Sequence, residues 1–271
     1  MAAAAAVEAA APMGALWGLV HDFVVGQQEG PADQVAADVK SGNYTVLQVV
    51  EALGSSLENP EPRTRARAIQ LLSQVLLHCH TLLLEKEVVH LILFYENRLK
   101  DHHLVIPSVL QGLKALSLCV ALPPGLAVSV LKAIFQEVHV QSLPQVDRHT
   151  VYNIITNFMR TREEGPFVEE LFEVTSCYFP IDFTPPPNDP HGIQREDLIL
   201  SLRAVLASTP RFAEFLLPLL IEKVDSEVLS AKLDSLQTLN ACCAVYGQKE
   251  LKDFLPSLWA SIRREGQDIM P

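Results

Sequence analysis

FAEFLLPLLIEKVDSEVLSAKLDSLQTLNACCAVYG, residues 212–247, reads as two apolar-periodic runs parted by a polar turn near Asp225. In the second run Leu229, Leu233, Leu236, Leu239 and Cys243 fall at steps of four, three, three and four, a helical period that predicts one apolar stripe facing neighbouring helices. Lys232, Asp234 and Gln237 lie off that stripe. The stretch is a helix–turn–helix unit, and a unit of this size has no partner for its own apolar face.

Segments that begin in a similar way start near Val46, Val88, Ala127, Val168, Phe212 and Lys252, each following the last by a nearly constant step. That step, roughly 40 residues, exceeds the tetratricopeptide and ankyrin lengths and fits the two-helix HEAT or armadillo class. Earlier second helices repeat the stripe through Ile69, Leu72 and Leu76, then Val109, Leu113 and Leu116, then Ile154 and Phe158, then Leu198, Leu202 and Val205. The fold expected is all-α, a right-handed HEAT/armadillo-type α-solenoid of about five helix pairs plus an unpaired last helix. Composition agrees: 49% of the 271 residues are hydrophobic but only 7% aromatic, as helix interfaces filled by aliphatic side chains require.

Residues 1–12 are alanine-rich and expected to be a disordered tail, followed by capping helices over 13–42 with a stripe of Leu16, Trp17, Val20, Phe23 and Val24. Repeats fill 43–271. The last carries one helix, KDFLPSLWASIRRE, and the stripe of Leu251, Phe254, Leu255, Leu258, Trp259 and Ile262 is expected to be covered only in part. The fourth repeat holds a proline-rich insertion, FPIDFTPPPNDPHG at 179–192, between its two helices. Its five prolines disfavour helix, so an extended loop is predicted. Read as a docking loop it presents Phe179, Phe183, Pro185, Pro186, Pro187, Asn188, Asp189 and Pro190 to a partner. Read as a connector it packs Phe179, Ile181 and Phe183 back onto the stack, and the two readings are compatible.

A net charge of −11 argues against nucleic acid as a direct partner, because backbone binding needs a phosphate-neutralising surface. Arg63, Arg65 and Arg67 form the nearest basic patch and read as a solvated helix start beside Glu58 and Glu61. The uncharged run at 115–131 is broken by Pro123-Pro124-Gly125 and reads as a buried hairpin rather than a membrane span. Five cysteines, Cys79, Cys119, Cys177, Cys242 and Cys243, form no C-x-x-C pair and suit a reducing compartment, cytosolic or nuclear. No secretory or transit signal is read at the N-terminus.

Catalysis needs a nucleophile with a base, or a metal. The tempting cluster is His78-Cys79-His80 with His102 and His103, since imidazole and thiolate bind zinc. Positions 78 and 80 point about 200° apart on a helix, so they are expected to be ordinary helix-end residues. Cys242 and Cys243 are expected to be small core residues. No catalytic residue, cofactor or metal is expected.

Three stretches, TVLQVVEALGSSLENPEPRTRARAIQLLSQVLL at 45–77, YFPIDFTPPPNDPHGI at 178–193 and LLPLLIEKVDSEVLSAKLDSLQTL at 216–239, resemble the N-terminal part of the HEAT-repeat family first named for methyl-methanesulfonate sensitivity. The resemblance covers essentially the whole chain. It implies a non-catalytic adaptor of cytosolic iron–sulfur targeting, one that helps deliver clusters to DNA helicases and other enzymes of replication, repair and transcription. It implies a cytoplasmic and nuclear place, with links to the mitotic spindle, and protein partners only. Assembly-complex subunits are met mainly through C-terminal repeats beyond this stretch. The competing reading from the repeat alone is a transport receptor or other generic HEAT scaffold, whose regular Trp array the two tryptophans, Trp17 and Trp259, do not supply.

Overall fold

A computed structural model describes residues 2–123, 125–159, 168–185, 187 and 192–268. Among them every regular element is helical. They fall into two compact units, Met1–Val138 and His139–Pro271.

The first unit contains α1 (Ala2–Val24), α2 (Gly30–Lys40), α3 (Val46–Leu57), α4 (Pro62–Cys79), α5 (Glu85–Arg98), α6 (Ile106–Leu116) and α7 (Leu126–Glu137). Sequence signals start these helices. Thr45 and Gln48 exchange side-chain and backbone hydrogen bonds across the first turn of α3. Pro62 opens α4, where its missing N–H has no helical partner to lose. The break foreseen in the uncharged run at 115–131 is present between α6 and α7, with Gly125 in the left-handed region ahead of α7.

Second helices α2, α4 and α6 lie side by side, while α1, α3 and α5 pair with them in turn. Helix α4 is the centre of this layer and buries Ala68, Ile69, Leu71, Leu72, Val75 and Leu76 completely. Each such leucine or isoleucine contributes about 1.5–3 kcal/mol. Tyr95 and Ser73 fill the space between α4, α5 and α6. The Tyr95 hydroxyl is 2.8 Å from Ser73 Oγ, which also lies 2.8 Å from the Ser108 carbonyl. Gly112 admits the Tyr95 ring, since a Cβ there would overlap it.

The second unit contains α8 (Gln145–Met159), α9 (Val168–Ser176), α10 (Arg195–Leu206), α11 (Ala213–Val224), α12 (Leu229–Cys242), α13 (Gln248–Lys252) and α14 (Leu255–Asp268). Second helices α8, α10 and α12 form one layer, and α9, α11 and α14 the other. The turn expected near Asp225 joins α11 to α12.

Helix α1 begins at Ala2, as the high helix propensity of alanine allows. Several expectations are corrected. Trp17 stands 59% exposed while Leu16, Val20, Phe23 and Val24 are buried. Helix α12 is turned from the orientation read from its leucines. It buries Ala231, Asp234, Ser235, Thr238, Leu239 and Cys242 and exposes Leu229, Leu233, Leu236 and Cys243. The physical reason is a second helical stripe, Ala231, Ser235, Thr238 and Cys242, whose small side chains let the backbones approach. Arg65 and Arg67 are not solvated either. Arg65 grips Asp101, and Arg67 reaches the Phe23 and Gln28 carbonyls with its guanidinium 3.9 Å from the Phe23 ring centroid.

Candidate partner-binding surfaces

The proline insertion leaves α9 and returns at α10, and its first part is tied to the stack. Ile181 is buried, Phe179 and Phe183 are half-buried, and Asp182 and Thr184 are exposed. Arg195 Nε, on the first residue of α10, donates to the Ile181 carbonyl at 3.1 Å. The same guanidinium stands 3.5 Å from Asp234 on α12. Arg203 closes the cluster, 4.0 Å from Asp234 and donating to Gln237 at 2.6 Å. Burial raises the Asp234 carboxyl above its ordinary value, against the pull of Arg195 and Arg203. The insertion therefore begins as an anchored strap. Beyond it Pro185 is half-buried and Pro187 exposed. Pro186, Asn188, Asp189 and Pro190, also expected to meet a partner, lie outside the described residues.

Two further surfaces escape a reading of the sequence. Val228, Leu229, Leu233 and Leu236 give α12 an apolar face 39–69% exposed. In the first unit a groove of about 410 Å3 runs between α3 and α5, floored by Val50, Leu72 and Phe94 and edged by Lys86 and His90. Leu47 at its lip is 61% exposed. Leu47 and Val50 are a helical step apart but off the Val46–Val49–Leu53 stripe that α3 buries. A second apolar stripe on one helix is the signal that could have revealed both surfaces.

The terminal helix has the same character. Leu258 and Ser261 are buried against the unit, whereas Leu255 and Trp259 are 50% and 63% exposed. Arg264 and Ser261 hold α14 to Asp225 at 2.7 and 3.1 Å.

The residues considered for chemistry are dispersed. Cys79 is buried with Sγ 3.6 Å from the Ala36 carbonyl, His80 Nδ1 bonds the Leu77 carbonyl at 2.9 Å, and His78 is exposed. His102 and His103 lie against each other, centroids 4.2 Å apart. Among the described residues no three His, Cys, Asp or Glu side chains gather as a metal site would require. Burial raises the thiols of Cys79 and Cys177, and pushes Cys119 up to about 11 and Cys242 up to about 12, so these sulfurs stay protonated and poorly nucleophilic near neutrality. No single described helix is long and apolar enough to cross a membrane.

Comparison with known proteins places this architecture. The family model for the Dos2-interacting transcription regulator of RNA-Pol-II matches residues 50–165 and 156–267. The MMS19 nucleotide excision repair protein homolog of Homo sapiens is 86% identical over 308 aligned positions, covering 98% of this chain and 30% of that protein. The Mus musculus homolog is 78% identical, with the same shares covered. The Drosophila melanogaster MMS19 nucleotide excision repair protein is 30% identical over 277 positions, covering 86% of this chain and 29% of that protein. The chain thus spans about three tenths of the length of the relatives it matches. Two family-model matches that together run from residue 50 to 267, on a chain of paired helices, show that it belongs to the MMS19 family, the Dos2-interacting transcription regulators of RNA-Pol-II.

Proposed function

We propose that this chain is a non-catalytic, protein-binding adaptor segment that takes part in DNA repair and transcription by holding client enzymes while iron–sulfur clusters are delivered to them. Its place is the cytoplasm and nucleus, with the mitotic spindle among its stations. The observation that carries the reading is the exposed apolar surface on paired helices in both units, at the α3–α5 groove and on the leucine face of α12. Exposed leucines arrayed on rigid helices suit an interface core, which excludes water from large apolar side chains. Membership of the family supports the repair and transcription setting, and the resemblance of the proline insertion and flanking repeats supports the iron–sulfur clients.

The proline strap supplies a third contact. Prolines enter a complex with little backbone freedom left to lose, which favours them as docking elements. The test is retention of a purified apo iron–sulfur helicase on the immobilised chain. Retention that Leu233→Glu with Leu236→Glu reduces at least tenfold is expected. A folded, monomeric chain that retains no such helicase overturns the reading.

A further inference from the structure

The human relative aligns over 308 positions, but 98% of 271 residues can fill only about 266 of them, which leaves about 42 positions of the relative with no residue here. Identity of 86% over 308 positions amounts to about 265, nearly every residue that is aligned. The shortfall is an omission and not divergence. The fly relative repeats it: its 277 aligned positions draw on only 86% of this chain, a shortfall of nearly the same size.

The omission is internal, and its place can be read. The family model matches in two stretches that meet over 156–165, as a match does when it must stop and restart around a missing piece. That is the passage from α8 to α9. Its length matters as much as its place, because an omission of that size is one full period of a helix-pair repeat, roughly 40 residues in this class. The omitted length is that of one complete helix pair.

We propose that this chain is a one-repeat-shortened form of the family's N-terminal stack, in which α8 occupies the seat against α10 and Tyr178 that the second helix of the omitted pair would otherwise hold. By the repeat read in the sequence α8 and α10 are successive second helices, and they pack directly in their layer. With another pair between them, its second helix would stand in that place. Two details at this junction belong to the new contact. The Arg148 guanidinium of α8 lies 3.6 Å from the centroid of the Tyr178 ring, which follows α9. Beside them the Tyr152 hydroxyl is buried with no hydrogen-bond partner among the described residues, an arrangement native interfaces seldom leave.

The consequence for binding rests on the adaptor reading. Removing a pair draws the proline strap about 10 Å nearer to α8, one helix spacing. It also deletes whatever surface the omitted pair presents. A client seated across the strap and α8 therefore meets a different surface here from the one on the longer form.

Photocrosslinking decides the packing. Tyr178 is replaced by p-benzoylphenylalanine in the full chain, and in the same chain with the human relative's omitted residues restored between the two matched stretches. Arg148 replaced in the same way reads the contact from the other side. Crosslinks between residues 145–159 and 177–179 are expected in this chain. On restoration they should give way to crosslinks onto the restored residues, with both forms melting cooperatively. Absence of the α8 crosslinks here from both probes, or their persistence after restoration, overturns the proposal. Affinity for a purified apo helicase is measured on both forms, with at least a tenfold difference expected. A helicase bound equally by both sinks the altered surface, whereas one bound by neither sinks the adaptor reading and leaves the crosslinks to judge the packing.

Discussion

Asp101 is held by Arg65 and Arg98 in the first unit, and its replacement by asparagine tests how that unit is pinned. Its carboxylate receives Arg65 Nε at 3.1 Å, Arg98 Nη1 at 3.2 Å and the His102 N–H at 2.7 Å. Arg65 also donates to the Asn59 and Pro60 carbonyls, so the cluster ties the turn before α4 to the segment between α5 and α6. Burial alone would raise the carboxyl. The hydrogen bonds from Arg65, His102 and Arg98 outweigh it and hold the group down from 3.8 to about 2. A depressed carboxyl stabilises the fold above its ordinary value, and that stability is lost as pH falls through the folded one. The drop is worth about 2.5 kcal/mol at 1.36 kcal/mol per pH unit. Asp101→Asn keeps the shape and one acceptor but removes the charge, so urea unfolding at pH 7 should show a loss of about 2–3 kcal/mol. At pH 3 the wild-type advantage should be about 1 kcal/mol smaller, because half the linked stability is already gone. Equal losses at pH 7 and pH 3 would refute the electrostatic account and leave only packing.

Gly112→Ala should cost about 2–4 kcal/mol in a thermal melt, since the new Cβ must displace the buried Tyr95 ring; an unchanged melt would mean that α5 and α6 can part freely. On α12, Leu233→Lys should stay within about 0.5 kcal/mol of wild type while Ser235→Leu loses about 1–3 kcal/mol, and the reverse order would restore the leucine stripe to the core. Replacing Pro185 and Pro187 with glycine should leave the melting temperature nearly unchanged and weaken helicase retention, whereas a collapse of the fold would make the insertion structural.

The stripes of α4, α6 and α10 are legible in the sequence because one face of each carries most of its large aliphatic residues at helical steps, and the residues of that face are buried while Leu77 and Leu200 stand exposed off it. Helix α12 is not legible in this way, having two stripes to choose from. Hydrophobicity selects the leucines, but close packing selects the smaller set. The proline insertion is recognisable between its helices, yet its anchor is not. Arg195 meets Ile181 only after the chain has turned back, 14 residues later. Arg65 reads as a surface charge for the same reason, since Asp101 lies 36 residues away. The internal omission leaves no trace in the spacing. Removing a whole period sets the starts at Ala127 and Val168 one ordinary step apart, like those of the other repeats.

That silence follows from how a helix-pair stack is held together. Each pair touches mainly its neighbours, so stability is close to a sum of local terms. Excising half a pair would set a first helix where a second belongs and exchange the two layers for everything downstream. Excising a whole pair keeps α8 and α10 in one layer and asks only that their facing sides fit. The Tyr152 hydroxyl, without a hydrogen-bond partner among the described residues, marks where that fit is incomplete. The same additivity explains how α12 can leave its leucines bare. Its buried hydroxyls are satisfied within the helix, Ser235 by the Ala231 carbonyl and Thr238 by that of Asp234, both at 2.7 Å. Little of the helix's own hold therefore depends on the leucine side. The apolar surface there does not stabilise the chain as it stands, and it remains available to whatever packs against it, which is the thermodynamic position a binding face must occupy.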